Sequence, residues 1–458
     1  MSQDINTVLL THITSGSGAA SKLREQLPSK GSGMIQVAKN LFDAKSDIRR
    51  LYWAQEFSRT ILHIHDFGDI LLLREIVAKQ ELRRLISYGK QKDHTAHTAY
   101  LYLLGIWFFD NVRSVRNAVK KHCNREGDEF KRWFLFQWLY ASLLHDIGYA
   151  FFELSGDTVS DRVAIDDMYS WKWITELFNR PEMYNRKPTP KEFKEFRKVH
   201  NDWRMQYGEH MPSRMASCSE VPPTEILTRL DSAPWLGELV DEWKGKSVSQ
   251  VLSLDPEGDE LMDYAGMVAR KGYVTKKPTP GSVDHAVASG LLLFQYTSYW
   301  YWLMNKLPNE QLQKKITGGH PYCIVKLKDE VLPACRAVAY HNVQSGVEGA
   351  GKILNRITLR EHPILFLAIL CDELQNWDRY PAGDDLFNDL KVCADGYIEG
   401  GEILLRKQKM GKASFKGKRP DKASFKVNRT DNAHIVKKVK EGLSRLENWK
   451  SIVSYKKS

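Results

Sequence analysis

Apolar and polar positions follow a helical period along most of the chain. From about Ile48 to Ser155, apolar residues recur at spacings of three and four, as they do on one face of an α-helix. The longest apolar runs extend from Trp133 to Leu144 and from Gly290 to Met304, and they predict buried core helices. Shorter core helices are predicted at LPACRAVAYHNV and HPILFLAILCDELQNW. The pattern therefore predicts an all-α fold.

Shifts in composition divide the chain into five predicted segments. The first is polar and rich in Gly and Ser, which is typical of a loose arm. The third is highly charged and carries turn-forming sequences such as RPEMYNRKPTPKEF, which indicate a helical insertion or cap. In the last, the pentapeptide KASFK occurs twice around a turn sequence, which favours a small β-rich module. The segments are an N-terminal arm (1–47), the first part of a helical core (48–155), the insertion (156–280), the second part of the core (281–385) and a basic C-terminal module (386–458).

The net charge of +11 is concentrated at the C-terminal end of the chain. Residues 401–458 hold 17 Lys and Arg against 5 Asp and Glu, a net of +12, so residues 1–400 carry −1. An anionic partner such as nucleic acid is therefore expected at this module, where Phe415 and Phe425 lie among lysines and suit base stacking. The alternative is a solvated basic face. The charge says little about the substrate of the core.

Composition excludes several classes of protein. A hydrophobic content of 42% and an aromatic content of 11% exclude global disorder. The longest apolar runs fall short of the ~18–20 residues that a bilayer span needs, so no membrane span is expected. The first residues lack a basic stretch followed by an apolar one, so no secretory signal is expected. The six cysteines form no CxxC pair and are expected to be reduced, and a cytoplasmic location is predicted.

One doublet, His145–Asp146 in LLHDIGY, is a candidate for metal chemistry. Neighbouring residues on a helix point about 100° apart, so both reach one ion only at a bend or a helix end. Gly148 is suited to such a bend. A second doublet, His65–Asp66 in HIHDFGD, is interpreted as a decoy or a structural pair, and its presence shows that a lone doublet is weak evidence.

Other His and Asp residues lie on predicted inward faces of the core helices. His97 shares a face with Leu101, Leu104 and Phe108, whereas its competitor His94 has more polar neighbours. A buried carboxylate costs several kcal/mol unless it is paired or bound to a cation. If the helices converge, they form a ligand set of imidazoles and carboxylates that suits Fe, Mn, Zn or similar ions. The alternative is a group of hydrogen-bonded core residues. The candidate ligands are His97, His145, Asp146, His285, His341 and Asp372.

These residues and their order resemble the HD-domain metal-dependent phosphohydrolase superfamily, whose two-metal members carry the pattern H…HD…H…H…D. DHTAHTAYLYLLG resembles the first motif, LLHDIG the doublet, VDHAVASGLLL and AVAYHN the two additional His motifs, and LCDELQNWDR the last. The resemblance covers about residues 90–155 and 283–380. It implies an HD-domain helical core that holds one or two divalent transition-metal ions. It also implies that Asp146 bridges two metals and orients a nucleophilic water.

Two departures from the family pattern bear on the substrate. Many members carry Lys where this chain has Tyr149, and that Lys can meet a substrate phosphate. His285 follows Asp146 by 139 positions, which is a long gap, so the insertion is expected to set the size of the substrate. Arg379, after the last Asp motif, is a candidate for contact with an anionic substrate, with a surface salt bridge as the alternative.

The expected function is hydrolysis of a phosphoester of a nucleotide, a cyclic nucleotide or a nucleic acid by metal-activated water. Three alternatives stay open. The first is a nucleoside-triphosphate hydrolase with a single metal. The second is an oxygenase, since some two-iron relatives activate O₂ with the same ligands. The third is a nucleic-acid-binding or scaffold protein that retains an HD core.

Overall fold

The structure is a computed structural model of the 458-residue chain. It describes residues 3–26, 31–64, 74–75, 77–79, 81–82, 95–151, 169–172, 174–175, 189–208, 223–254, 260–274, 283–308, 310–316, 322–343, 357–374, 396–399, 402–405, 423–427, 441–449 and 452–457.

Helices dominate the described part of the chain, in agreement with the all-α prediction. The helices are α1 (Ile5–Ser15), α2 (Ala19–Glu25), α3 (Gly31–Phe42), α4 (Asp47–Ile64), α5 (Ala96–Asn111), α6 (Arg113–Cys123), α7 (Gly127–Leu143), α8 (Pro190–Tyr207), α9 (Pro223–Asp231), α10 (Leu236–Leu239), α11 (Val248–Leu252), α12 (Glu260–Val274), α13 (His285–Lys306), α14 (Glu310–Ile316), α15 (Ile324–Lys326), α16 (Leu332–Tyr340) and α17 (Pro363–Leu374). Two 3₁₀ turns span Ile147–Phe151 and Asp241–Trp243, and a π turn spans Leu327–Val331.

Short strands lie close to the two ends of the chain. They are β1 (Gln3–Asp4), β2 (Gly396–Glu399), β3 (Glu402–Leu405), β4 (Ala423–Val427) and β5 (Val453–Lys457). Strand β2 pairs antiparallel with β1 and β3, with Tyr397 opposite Asp4 and Leu404, and β4 pairs in parallel with β5. Most of residues 386–458 lie outside the described residues, so the basic β-rich module stays a prediction.

The N-terminal region differs from the predicted loose arm. Between residues 5 and 42 the chain forms the three helices α1, α2 and α3. Their apolar positions recur at helical spacing and are buried, which a solvated arm would not allow. The buried residues include Leu9, Ile13, Leu23, Met34, Ala38 and Leu41. Asp110 of α5 adds a cap, because its carboxylate accepts hydrogen bonds from the backbone N–H groups of Ala19 and Ala20 at 2.7 and 3.0 Å. The Gly/Ser content therefore marks helix boundaries.

The chain forms two compact units. Unit 1 comprises residues 1–61, 78–143 and 355–458, and unit 2 comprises residues 62–77 and 144–354. In unit 1, α5 packs against α7 and α17 packs against both. The indole of Trp138 in α7 lies against Gly105 and donates a 2.8 Å hydrogen bond to the carbonyl of Tyr102. The glycine thus permits a close approach of the two helices.

Unit 2 is organised around α13. The side chains of this 22-residue helix are almost all buried between residues 286 and 304. Helix α16 packs along it, and the 3₁₀ turn Ile147–Phe151 packs against it. Helix α13 begins at His285, and His341 directly follows the end of α16 at Tyr340. The packing of these two helices therefore positions two of the predicted ligands.

Among the described residues, no helix combines the length and apolar character that a membrane crossing requires.

Candidate metal centre

The predicted doublet lies directly after a helix. Helix α7 ends at Leu143, and a tight turn follows in which the N–H of Ile147 donates to the carbonyl of Leu144 at 3.3 Å. The N–H of Tyr149 donates to the carbonyl of Asp146 at 3.1 Å and opens the 3₁₀ turn. Neighbouring side chains within a helix point about 100° apart, but His145 and Asp146 lie beyond the end of α7. Their side chains can therefore face the same position.

Three imidazoles of unit 2 converge on one carboxylate oxygen of Asp146. Oδ1 of Asp146 lies 3.4 Å from Nε2 of His145, 3.3 Å from Nε2 of His285 and 3.7 Å from Nε2 of His341. The ring of His341 lies 4.7 Å from that of His145 and 5.2 Å from that of His285, measured between centroids. Asp146, His145 and His341 are buried, and His285 is 17% exposed at its side chain. The structure thus brings together four of the six predicted ligands.

The orientation of His341 is fixed by the backbone. His341 is the residue that follows the last turn of α16, and its Nδ1 lies 2.7 Å from the carbonyl oxygen of Val338. Because a carbonyl only accepts hydrogen bonds, Nδ1 carries the proton. In the neutral ring, Nε2 then presents its lone pair toward Asp146. Metal-bound histidines are usually held by such a hydrogen bond from the second ring nitrogen.

The position of His285 depends on the turn after the doublet. The ring of Tyr149 stacks on the ring of His285 with 4.3 Å between centroids and 16° between planes. The N–H of Gly148 donates to Oγ of Ser289 at 2.7 Å. A Cβ at position 148 would meet the carbonyl oxygen of His285 and the backbone nitrogen of Ser289, so only glycine permits this approach. Tyr149, which departs from the family pattern, therefore has a contact within the cluster.

The donor set fits a divalent cation. N–H···O hydrogen bonds usually measure about 2.7–3.2 Å between heavy atoms, and the three approaches to Asp146 are all longer. Two atoms that bind one ion at about 2.1 Å lie roughly 3.0–3.4 Å apart, which His145 and His285 match, whereas Nε2 of His341 lies somewhat farther away at 3.7 Å. The ligand atoms of Asp146, His285 and His341 all lie within 4.8 Å of one another. Imidazole nitrogen with carboxylate oxygen suits Zn, Fe or Mn and lacks the soft thiolate of copper(I) sites.

Two predicted ligands, His97 and Asp372, belong to unit 1. His97 lies in the first turn of α5 and is buried, and Asp372 lies near the end of α17 and is half-buried. Within unit 1, α17 packs against α5. The membership of His97 and Asp372 in the ligand set stays a prediction from the motif order. Arg379, the competitor His94 and the doublet His65–Asp66 lie outside the described residues.

Sequence reasoning missed the residues that support the histidines. Asp284 caps α13 and also accepts a hydrogen bond from Asn342, the neighbour of His341. An Asp directly before an apolar helix is a recognisable N-cap signal, so the cap was predictable. The contact with Asn342 joins positions that are 58 residues apart, and no local pattern predicts it.

Comparisons of the chain with family models, with curated proteins and with solved structures found no match. The cluster of unit 2 and the motif order therefore carry the functional argument.

Proposed function

We propose that this protein is a metal-dependent phosphohydrolase of the HD type that hydrolyses a phosphoester of a nucleotide, a cyclic nucleotide or a nucleic acid. One observation carries the proposal: the Nε2 atoms of His145, His285 and His341 surround Oδ1 of Asp146 at 3.3–3.7 Å. The resemblance of five motifs to the HD superfamily supports the class of reaction. The motif order adds His97 and Asp372 as further proposed ligands.

A divalent cation held by these groups would supply Lewis acidity and would lower the pKa of a coordinated water from ~15.7 toward ~7. The residues of the chain have separate tasks. Asp146 provides the negative charge that offsets the cation. His341 presents Nε2 because its Nδ1–H is committed to the carbonyl of Val338 at 2.7 Å. Tyr149 holds the plane of the His285 ring by stacking.

The substrate class rests on the resemblance, and one departure from the family pattern bears on how the phosphate would be bound. Where many family members have a Lys that meets a phosphate, this chain has Tyr149, whose ring lies against His285 and is partly exposed. A phenol carries no positive charge, so Tyr149 cannot replace that Lys as a charged partner of the substrate phosphate. Arg379 is the proposed candidate because it follows the last motif.

The test is the metal content of the purified protein together with hydrolysis of phosphoester substrates. We expect bound Zn, Mn or Fe at one or two ions per chain by elemental analysis. Asp146→Asn keeps the size of the side chain but removes its charge, so we expect metal affinity to fall by at least ~100-fold, beyond the 10–100-fold typical of a supporting residue. Hydrolysis should fall with it. Wild-type protein without bound metal, or a variant with unchanged metal content and activity, would refute the proposal.

A substrate screen separates the alternatives. Nucleotides, cyclic nucleotides, cyclic dinucleotides and single-stranded nucleic acid should be compared at equal metal loading. One metal per chain, hydrolysis restricted to nucleoside triphosphates and insensitivity to His285→Ala would favour the single-metal hydrolase. Oxygen consumption would favour the oxygenase. As a matched control, Thr189→Ala removes a helix cap of α8 in the same unit and should leave metal content and hydrolysis unchanged.

A further inference from the structure

We propose that Asp284 is a positioning residue for the metal centre, because it joins the two chain segments that carry His285 and His341. The inference rests on the proposed function, since it assumes that these histidines bind a metal. Asp284 is outside the predicted ligand set. Its side chain is buried, with 6% of the residue exposed.

One oxygen of Asp284 fixes the start of α13. Oδ1 accepts hydrogen bonds from the backbone N–H groups of Ala286 at 2.9 Å and Val287 at 3.1 Å. These groups have no partner within the helix, and an Asp at the N-cap satisfies them. His285 lies between the cap and the first bonded N–H groups. The cap therefore sets the backbone from which the His285 ring projects.

The second oxygen of Asp284 reaches across to the segment that holds His341. Oδ2 accepts a hydrogen bond from Nδ2 of Asn342 at 2.9 Å and a longer one from the hydroxyl of Tyr264 at 3.4 Å. Asn342 directly follows His341, where the chain leaves α16. The carboxylate of Asp284, the residue before His285, is thus hydrogen-bonded to Asn342, the residue after His341.

The number of donors around Asp284 assigns it a supporting task. An ionised carboxylate offers about four lone-pair sites. Asp284 faces four donors, namely two backbone N–H groups, one amide and one hydroxyl. Little acceptor capacity is left for a metal ion. The consequence is that Asp284 holds the chain segments of His285 and His341 at a fixed separation. The Nε2 atoms of these two histidines lie 3.3 and 3.7 Å from Oδ1 of Asp146.

A helix cap alone would explain the first two hydrogen bonds but not the contact with Asn342. The variant Asp284→Asn separates the two tasks. The amide oxygen of Asn can still cap α13, since Asn is as good an N-cap as Asp. The amide nitrogen would replace Oδ2 and would face the donor of Asn342, so the hydrogen bond to a carboxylate is lost, and a turned-over Asn342 amide would restore only a neutral hydrogen bond of about half the strength.

The experiment measures the affinity of the full-length protein for Zn²⁺ by competition with a chromogenic chelator, and the absorption spectrum of the Co²⁺ form. For Asp284→Asn we expect Zn²⁺ affinity to fall about 10-fold, at the low end for residues that support metal ligands, with shifted Co²⁺ bands. The exchange Asp284→Asn with Asn342→Asp restores a donor–acceptor pair across the contact. It should therefore recover most of the affinity and the wild-type spectrum.

Asn342→Ala removes the cross-link and leaves the cap intact, so it tests the same contact if Asp284→Asn does not fold. It should weaken Zn²⁺ binding to a similar extent. Thr189→Ala is the control for a lost cap elsewhere in unit 2, and it should lower the midpoint of urea unfolding without changing Zn²⁺ affinity.

Two outcomes would overturn the inference and are distinguishable from failure of the proposed function. If the wild-type protein binds Zn²⁺ and both single variants bind it equally well, the positioning task is refuted and the metal centre stands. If Thr189→Ala weakens Zn²⁺ binding as much as Asp284→Asn and Asn342→Ala do, the loss of affinity reflects general destabilisation and the inference is likewise refuted. If the wild-type protein binds no metal, both the inference and the proposed function are refuted.

Discussion

The close approach of α13 and α16 at Gly290 offers a direct test of how helix packing sets the positions of the proposed ligands His285 and His341. In the variant Gly290→Ala, the added Cβ would meet the Cβ of Ala339 and would lie 2.7 Å from Cα and 2.8 Å from the backbone nitrogen of the same residue. Ordinary contacts between carbon atoms begin at about 3.5 Å. The two helices must therefore separate by at least about 0.8 Å, because two of the three contact atoms belong to the backbone and the third is the Cβ of an alanine, which cannot rotate away. His285 lies at the start of α13, and His341 directly follows α16.

The magnitude follows from two opposing effects. Overpacking of this kind costs about 1–3 kcal/mol, whereas replacing Gly with Ala inside a helix gains about 1 kcal/mol. We expect a net loss of up to about 2 kcal/mol in the free energy of unfolding. Metal sites tolerate errors of only about 0.2 Å in ligand distance, so a displacement near 0.8 Å should also weaken metal binding.

The assay is urea unfolding followed by tryptophan fluorescence, together with Zn²⁺ affinity. Gly33→Ala is a matched control, because position 33 lies in α3 and a Cβ there meets no atom within 4 Å. That variant should be as stable as the wild-type protein or more stable by up to about 1 kcal/mol. The reasoning is refuted if Gly290→Ala matches this control in both unfolding midpoint and metal affinity.

Two further predictions concern ion pairs in the two units. Burial by itself raises the pKa of Glu238, but hydrogen bonds from Tyr207, Lys306, Trp302 and Gln206 lower it to about 2. The stability from this carboxylate is therefore complete above its ordinary pKa of 4.5 and is lost as pH falls toward 2. Urea unfolding at stepped pH should show a steeper acid loss for the wild-type protein than for Glu238→Gln, and equal slopes would contradict this. In unit 1, Arg445 donates to Glu373 at 2.7 Å, and both side chains are less than 10% exposed. Arg445→Leu should cost about 3 kcal/mol, and adding Glu373→Leu should recover most of it, as measured by urea midpoints; an additive double variant would contradict the pairing.

The local part of the site was open to prediction from the sequence because it depends on helical periodicity. Helix α13 was recognisable from its apolar residues, and the structure buries it as expected. His341 follows a face formed by Ala334, Ala337 and Val338, which are buried as well. The N-terminal prediction was wrong because Gly and Ser at helix boundaries resemble the composition of a loose arm.

The sequence by itself determined the helical character of the chain and the identity of the metal-binding candidates, since both follow from residue type and local spacing. Only the tertiary structure decided that His145, His285 and His341 meet at one oxygen of Asp146 and that Asp284 joins two of their segments. The physical reason is that these contacts depend on how closely backbones approach. At Gly148 the backbone lies against His285 and Ser289, and at Gly290 it lies against Ala339, residues that are distant in the sequence.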